Sequence, residues 1–204
     1  MKLYKTPGIF KKMYPDFLWN MSVEDSTIYL TFDDGPTPEI TEWVLDLLHS
    51  YNAKATFFVI GKNVLQKPNI VARMTAEGHQ IGNHTFSHLR GRATDTSIYI
   101  EDYEKCQKLI SSKLFRPPYG SIKKKQSKQI LKETNIVRWD VLAYDWEQDL
   151  NIPLSIEKMQ QATKPGSIVV FHDTLKAEKN LKTMLPILLK YWKEKGFDFK
   201  PIEC

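Results

Sequence analysis

Apolar positions along the chain fall into short runs of two alternating kinds. Residues 27–32, 55–60, 80–83, 114–116, 136–141, 167–171 and 197–200 form compact apolar or β-branched stretches of strand length. Between several of them the apolar residues recur at helical spacing. This holds over 38–49, where Ile40, Val44, Leu47 and Leu48 share a face, and over 69–77, 94–112, 126–133, 155–163 and 181–195. Gly78 and Gly196 stop two of these helices, and Pro117-Pro118 and Pro165-Gly166 mark points where regular structure cannot continue. Residues 1–25 carry Tyr4, Phe10, Tyr14, Phe17, Leu18 and Trp19 without a period, which predicts an irregular arm packed on one domain spanning 26–204.

Strands alternating with helices predict right-handed crossovers and a mostly parallel sheet. Seven such units within 204 residues are tight for an eight-fold barrel, whose usual size is ~250 residues. The expectation is an α/β fold, a distorted (β/α)7 barrel resembling a TIM barrel.

Composition narrows the class without naming a function. With 42% hydrophobic and 26% charged residues the chain reads as folded and globular, not disordered. The net charge of +5 is a mild excess, and its densest run, Lys123-Lys124-Lys125 with Lys128, lacks the interleaved aromatics of single-strand binders. It reads as a solvated helix face, so no nucleic-acid partner is expected. Two cysteines, Cys106 and Cys204, cannot build a disulfide framework or a cysteine-rich metal site. No transmembrane segment and no secretory signal pattern is found, which makes a cytoplasmic location the expectation. Oligomeric state is left open.

The residues able to do chemistry follow the predicted strands. Asp33-Asp34 follow the first, His84 the third, Arg116 lies on the fourth, and His172-Asp173 follow the sixth. In a parallel barrel these positions converge on the carboxyl-end rim, where active sites are built. Asp33-Asp34-Gly35-Pro36 alone reads equally well as a turn with a helix cap. His84 and His88, four apart, suit one face of a helical turn, as in zinc hydrolases, although such pairs also occur on solvated helices. With Asp34 they make a two-histidine, one-carboxylate set that suits zinc and leaves a position open. Position 85 is Thr where a metalloprotease would carry its glutamate base, and Asp33 is available instead. Arg116 offers a planar fork for a carboxylate, with Asp33 the obvious partner. His172 supplies a histidine of the kind a proton donor requires.

Together these segments resemble the polysaccharide deacetylase family, carbohydrate esterase family 4, over roughly residues 27–200, with the motifs in the family's order. The resemblance implies that Asp33 is the catalytic base, that Asp34, His84 and His88 bind the metal, and that Arg116 holds Asp33. It implies that the Tyr119 backbone amide helps form an oxyanion hole and that His172 is the general acid. In Trp139-Asp140-Val141-Leu142-Ala143-Tyr144-Asp145-Trp146 the last pair resembles the family's Asp-Trp: Asp145 would orient His172, and Trp146, beside Val170, would line an acetyl pocket. The implied cofactor is Zn2+, or another divalent transition metal such as Co2+ or Ni2+, and the implied substrate an N-acetylated carbohydrate. Two alternatives remain at this point. One is a small-molecule amidase or cyclic-amide hydrolase on the same fold; the other is an inactive carbohydrate-binding module, whose signature would be loss of Asp33 or of a metal ligand.

Overall fold

The structure, a computed structural model, describes residues 2–24 and 26–203. Its strands are β1 (Thr27–Asp33), β2 (Thr56–Val59), β3 (Gln80–Asn83), β4 (Leu114–Phe115), β5 (Asn135–Ile136), β6 (Val141–Leu142), β7 (Ile168–His172) and β8 (Asp198–Phe199). Seven of them pair in parallel in the order β5-β4-β3-β2-β1-β7-β6, and β8 pairs with the start of β1. The helices are α1 (Gly8–Met13), α2 (Ile40–Ser50), α3 (Gly61–Gln66), α4 (Pro68–Ala76), α5 (Thr96–Ile110), α6 (Lys124–Ile130), α7 (Ile152–Ala162) and α8 (Glu178–Glu194). The architecture is the expected curled (β/α)7 barrel.

Side chains alternate across a strand, and here the alternation separates packing from chemistry. On β1, Ile28, Leu30 and Phe32 belong to the core formed with α2 and α8 residues such as Val44, Leu48, Leu185 and Leu188. Thr31 and Asp33 occupy the other face. On β7, Val169 and Phe171 join the same core, leaving Val170 and His172 on the inner face. Phe32 stacks on Phe57 and Phe171, with centroids 5.1 and 6.0 Å apart. Burial of each such side chain stabilises the fold by roughly 1.5–3 kcal/mol, so the core fixes β1 and β7 and thereby the residues at their ends.

Among the described residues no ladder joins β5 to β6, and the N-terminal arm lines this seam. Leu18 donates its amide to the Ile136 carbonyl at 2.9 Å and accepts from the Arg138 amide at 2.7 Å. Further along, Thr6 donates to Asp140 and Leu142 donates to Tyr4, at 2.8 and 3.0 Å. The buried Asp140 carboxylate receives Lys5 and Lys11 at 3.3 and 2.8 Å.

Three local readings need correction, and one short helix has no counterpart among the predicted elements. The run 136–141, read as one strand, is two: β5 pairs with β4, β6 pairs with β7, and the chain crosses the seam between them. The arm, read as irregular, contains α1. Helix α3 has only 6 residues, too few to display a period. Arg116 lies just beyond β4 instead of on it.

Candidate functional site

A cavity of about 570 Å³ opens at the carboxyl ends of the strands. Asp33, Asp34, His84, His88, Tyr119, Trp146, Val170 and His172 all line it, as do Arg90, Trp139, Leu142 and Lys176, to which the sequence reading gave no role. Arg116 and Asp145 stand behind this wall. Asp33 and His172 are register partners on the neighbouring strands β1 and β7, which sets their side chains beside each other.

Asp34, His84 and His88 offer ligand atoms that all lie within 4.8 Å of one another. Oδ1 of Asp34 is 3.3 Å from His84 Nε2 and 3.0 Å from His88 Nε2. Burial opposes ionisation of Asp34, but hydrogen bonds from His84 and His88 outweigh it and hold the carboxyl well below the usual carboxylate range. Nδ1 of His84 is 2.6 Å from the Arg116 carbonyl. A ring that keeps its Nδ1 proton there can give up the Nε2 proton it shares with Asp34 and offer that nitrogen's lone pair to an ion, the tautomer a metal ligand requires. The donor set therefore fits a divalent ion of the zinc class. The helical turn expected for 84–88 is absent: Thr85 and His88 are left-handed, with φ of 63° and 58°. Tertiary contacts impose this shape. Asp102 on α5 accepts the Phe86 and Ser87 amides at 3.0 and 2.9 Å, while Gly61 and Lys62 at the start of α3 donate to Thr85 and Phe86, both at 3.0 Å.

Arg116 is fully buried. Its Nη1 donates to Asp33 Oδ1 at 2.6 Å and to Thr31 Oγ1 at 2.7 Å, Nη2 donates to the Arg138 carbonyl at 3.0 Å, and the guanidinium covers the Phe58 ring at 4.1 Å. Asp33 is thus fixed from the barrel interior. Beside it Gly35 is closed to any side chain, since a Cβ would meet the Asp173 carboxylate at 2.1 Å. Asp173 is fully buried with Thr41 donating to it, and burial pushes its carboxyl up to about 8.

His172 is held twice by Asp145. Oδ1 lies 2.8 Å from Nδ1 and Oδ2 accepts the His172 amide at 2.7 Å. Burial of the imidazole opposes its charge, but the Asp145 charge and hydrogen bond, with smaller contributions from Asp33 and Asp34, outweigh it and raise the pKa to about 9. Asn180 on α8 in turn donates to the Asp145 carbonyl at 2.9 Å. Trp146 meets His172 edge to face at 4.7 Å, and Val170 completes an apolar wall with Leu142.

Opposite lies the turn Pro117-Pro118-Tyr119-Gly120. Gly120 and Ser121 amides close it onto the Pro117 and Pro118 carbonyls at 2.9 Å each, and the Tyr119 amide donates to no acceptor among the described residues. The Tyr119 ring packs against His88 at 4.6 Å and beneath the Arg90 guanidinium at 4.3 Å.

A family model described as polysaccharide deacetylase matches residues 20–139. A peptidoglycan-N-acetylglucosamine deacetylase of Listeria monocytogenes is 35% identical over 182 residues, covering 86% of this chain and 38% of that protein. A chitooligosaccharide deacetylase of Azorhizobium caulinodans is 39% identical over 160 residues, 72% of this chain and 74% of that protein. A crystal structure of a peptidoglycan N-acetylglucosamine deacetylase in complex with 4-naphthalen-1-yl-N-oxidanyl-benzamide superposes with a TM-score of 0.87 at 31% identity, over 97% of this chain and 95% of that one. The chain thus spans well under half of the Listeria relative and almost all of the crystallised one. Motif order, barrel and matched sequence agree: the chain belongs to the polysaccharide deacetylase family.

Proposed function

We propose that this chain hydrolyses the acetamido group of an N-acetylated sugar, an N-acetylglucosamine-containing oligo- or polysaccharide, to acetate and a free amine. A zinc-class divalent ion would be held by Asp34, His84 and His88. One observation carries the reading: two titratable groups, Asp33 backed by Arg116 and His172 backed by Asp145, lie in register beside a three-ligand cluster in one cavity. The Listeria and Azorhizobium relatives are named as deacetylases of peptidoglycan N-acetylglucosamine and of chitooligosaccharide, which supports an N-acetylated sugar as substrate here.

The ion, when bound, supplies Lewis acidity that lowers the pKa of water and polarises the amide carbonyl. Asp33, oriented through Oδ1 by Arg116, takes the proton of the attacking water. The Tyr119 amide donates to the developing oxyanion, a contribution that elsewhere amounts to roughly 3 kcal/mol per donor. His172, with Asp145 on Nδ1, presents Nε2 to the cavity and protonates the departing nitrogen, which is too basic to leave as an anion. Trp146 and Val170 form the apolar surface for the acetyl methyl.

The test is a substrate panel. Metal-loaded protein is incubated with chitooligosaccharides, peptidoglycan fragments and cyclic ureides, and acetate and ring-opened product are quantified. Acetate from an N-acetylated sugar is expected. Ring opening without acetate release would move the chain to the cyclic-amide hydrolases, and no turnover with metal bound would withdraw the reading.

A further inference from the structure

Arg138 has no carboxylate partner among the described residues, and the charged side chains that act on its guanidinium include the cations Arg116 and Arg92. Burial first, and the repulsion of these two, lower its pKa to about 10. A half-buried, unpaired cation beside other cations is costly, and nothing in its packing returns that cost through an ion pair. The guanidinium instead lies by the Trp19 and Trp139 rings, 5.2 and 4.6 Å from their centroids, where the ring faces favour a cation.

Its polar contacts lead to the two halves of the proposed reaction. Nη1 donates to the Gly120 carbonyl at 2.5 Å. Its own carbonyl accepts from Nη2 of Arg116 at 3.0 Å, and Arg116 holds Asp33. Gly120 and Tyr119 are consecutive left-handed residues, with φ of 60° and 58°. A non-glycine residue held there costs on the order of 1–3 kcal/mol and persists only where its surroundings fix it. Arg138 is part of that fixing: a Cβ on Gly120 would meet Nη2 of Arg138 and the Trp139 ring, both at 2.7 Å. The arm locks the arginine in turn, through Leu18, which accepts its amide, and through Trp19.

We infer that Arg138 is a positioning residue, tying the turn that carries the Tyr119 amide to the Arg116–Asp33 pair and setting both against one substrate carbonyl. The inference rests on the roles proposed above for Tyr119 and Asp33. Arg138 touches neither substrate nor reacting atoms; it acts by fixing where the oxyanion donor and the base stand relative to each other.

Positioning and structural roles separate in Arg138→Met, which keeps the apolar stem between the tryptophans and removes charge and donors. The metal-loaded full chain is compared with the parent for kcat, KM, metal content and Tm, using the N-acetylated sugar that gives most acetate. We expect kcat to fall about 10- to 100-fold, the scale of an ångström-sized misplacement. KM should change less than about threefold, because ground-state binding is kept. Metal content should hold, and Tm should be unchanged or higher, because an unpaired half-buried cation has been replaced by an apolar side chain. A parental kcat overturns the inference, and so does a lowered Tm with parental kcat per metal-loaded site, which would make Arg138 a structural prop. If Arg138→Met does not fold, Arg138→Lys is read instead. Its shorter ammonium falls short of Gly120, so a reduced kcat is expected and a parental kcat again overturns the inference. Failure of the parent itself to release acetate sinks the proposed function, a result distinct from either outcome.

Discussion

Arg116 and Asp33 form an ion pair at 2.6 Å in which the arginine side chain has no exposure and the aspartate side chain only 6%. Thr31 and the Arg138 carbonyl take other donors of the fork. Breaking a buried pair from one side leaves an uncompensated charge, a loss of about 3–5 kcal/mol. Arg116→Ala is therefore expected to lower the urea midpoint strongly as well as to abolish turnover. An unchanged midpoint with lost activity would make the arginine catalytic in a direct sense, contrary to its burial.

Asp33 adjoins Asp34, the proposed ligand, yet is given a proton-transfer role, and the two readings part on substitution. Asp33→Asn keeps an oxygen to accept from Arg116. It should retain bound metal by elemental analysis while losing on the order of 10²–10⁴-fold in kcat. Loss of metal in this variant would place Asp33 among the ligands.

The two histidines should differ in what they cost. His88 is partly exposed, and its ring contacts are with Asp34, His84 and Tyr119. His84 is buried and its Nδ1 serves the Arg116 carbonyl. Both His84→Ala and His88→Ala should fail to bind a zinc-class ion. Measured in chelator, His84→Ala should in addition be less stable than His88→Ala by about 1–3 kcal/mol, the cost of a buried carbonyl left without its donor. Equal stabilities of the two metal-free variants would show that the Arg116 carbonyl finds another partner.

These contrasts also explain which parts of the site were legible in the sequence. Apolar runs ending in polar residues mark β1 and β7, because a strand's alternation alone sends Phe32 and Phe171 to the helices and Asp33 and His172 to the cavity. The His84–His88 spacing was informative about composition and misleading about conformation. The loop is shaped by Asp102, Gly61 and Lys62, residues of α5 and α3 that no local pattern connects to it. Arg138 was hidden differently. It interrupts the apolar run 136–141, and a charge inside an apparent strand was the available sign that the strand breaks there and that the arginine has another task. Its link to Trp19 crosses from the arm to the barrel, a relationship that only the closed seam reveals.

In the proposed reaction His172 must carry its proton for the amine to leave, so the rate should fall as pH rises through the pKa of that group and His172 should define the alkaline limb. In the metal-free fold this pKa is raised to about 9: burial opposes the charge and Asp145 outweighs burial. A divalent ion near Asp34 adds positive charge and lowers it, so the limb of the loaded enzyme is expected below about 9, and the informative quantity is the shift between variants. Asp145→Asn removes the charge that favours the imidazolium and leaves the burial that opposes it; the alkaline limb should move to lower pH. The stability linkage has the same origin and a definite sign. Because the folded pKa lies above the unfolded value of roughly 6.5, the charged His172–Asp145 pair contributes stability that is complete below about pH 6.5 and is lost as pH rises through about 9. In metal-free protein the difference in Tm between parent and Asp145→Asn should therefore shrink across that window. His172→Ala should keep its metal and lose most of its rate together with the alkaline limb. A limb that stays in place in both Asp145→Asn and His172→Ala would assign proton donation to another group and end the role proposed for His172.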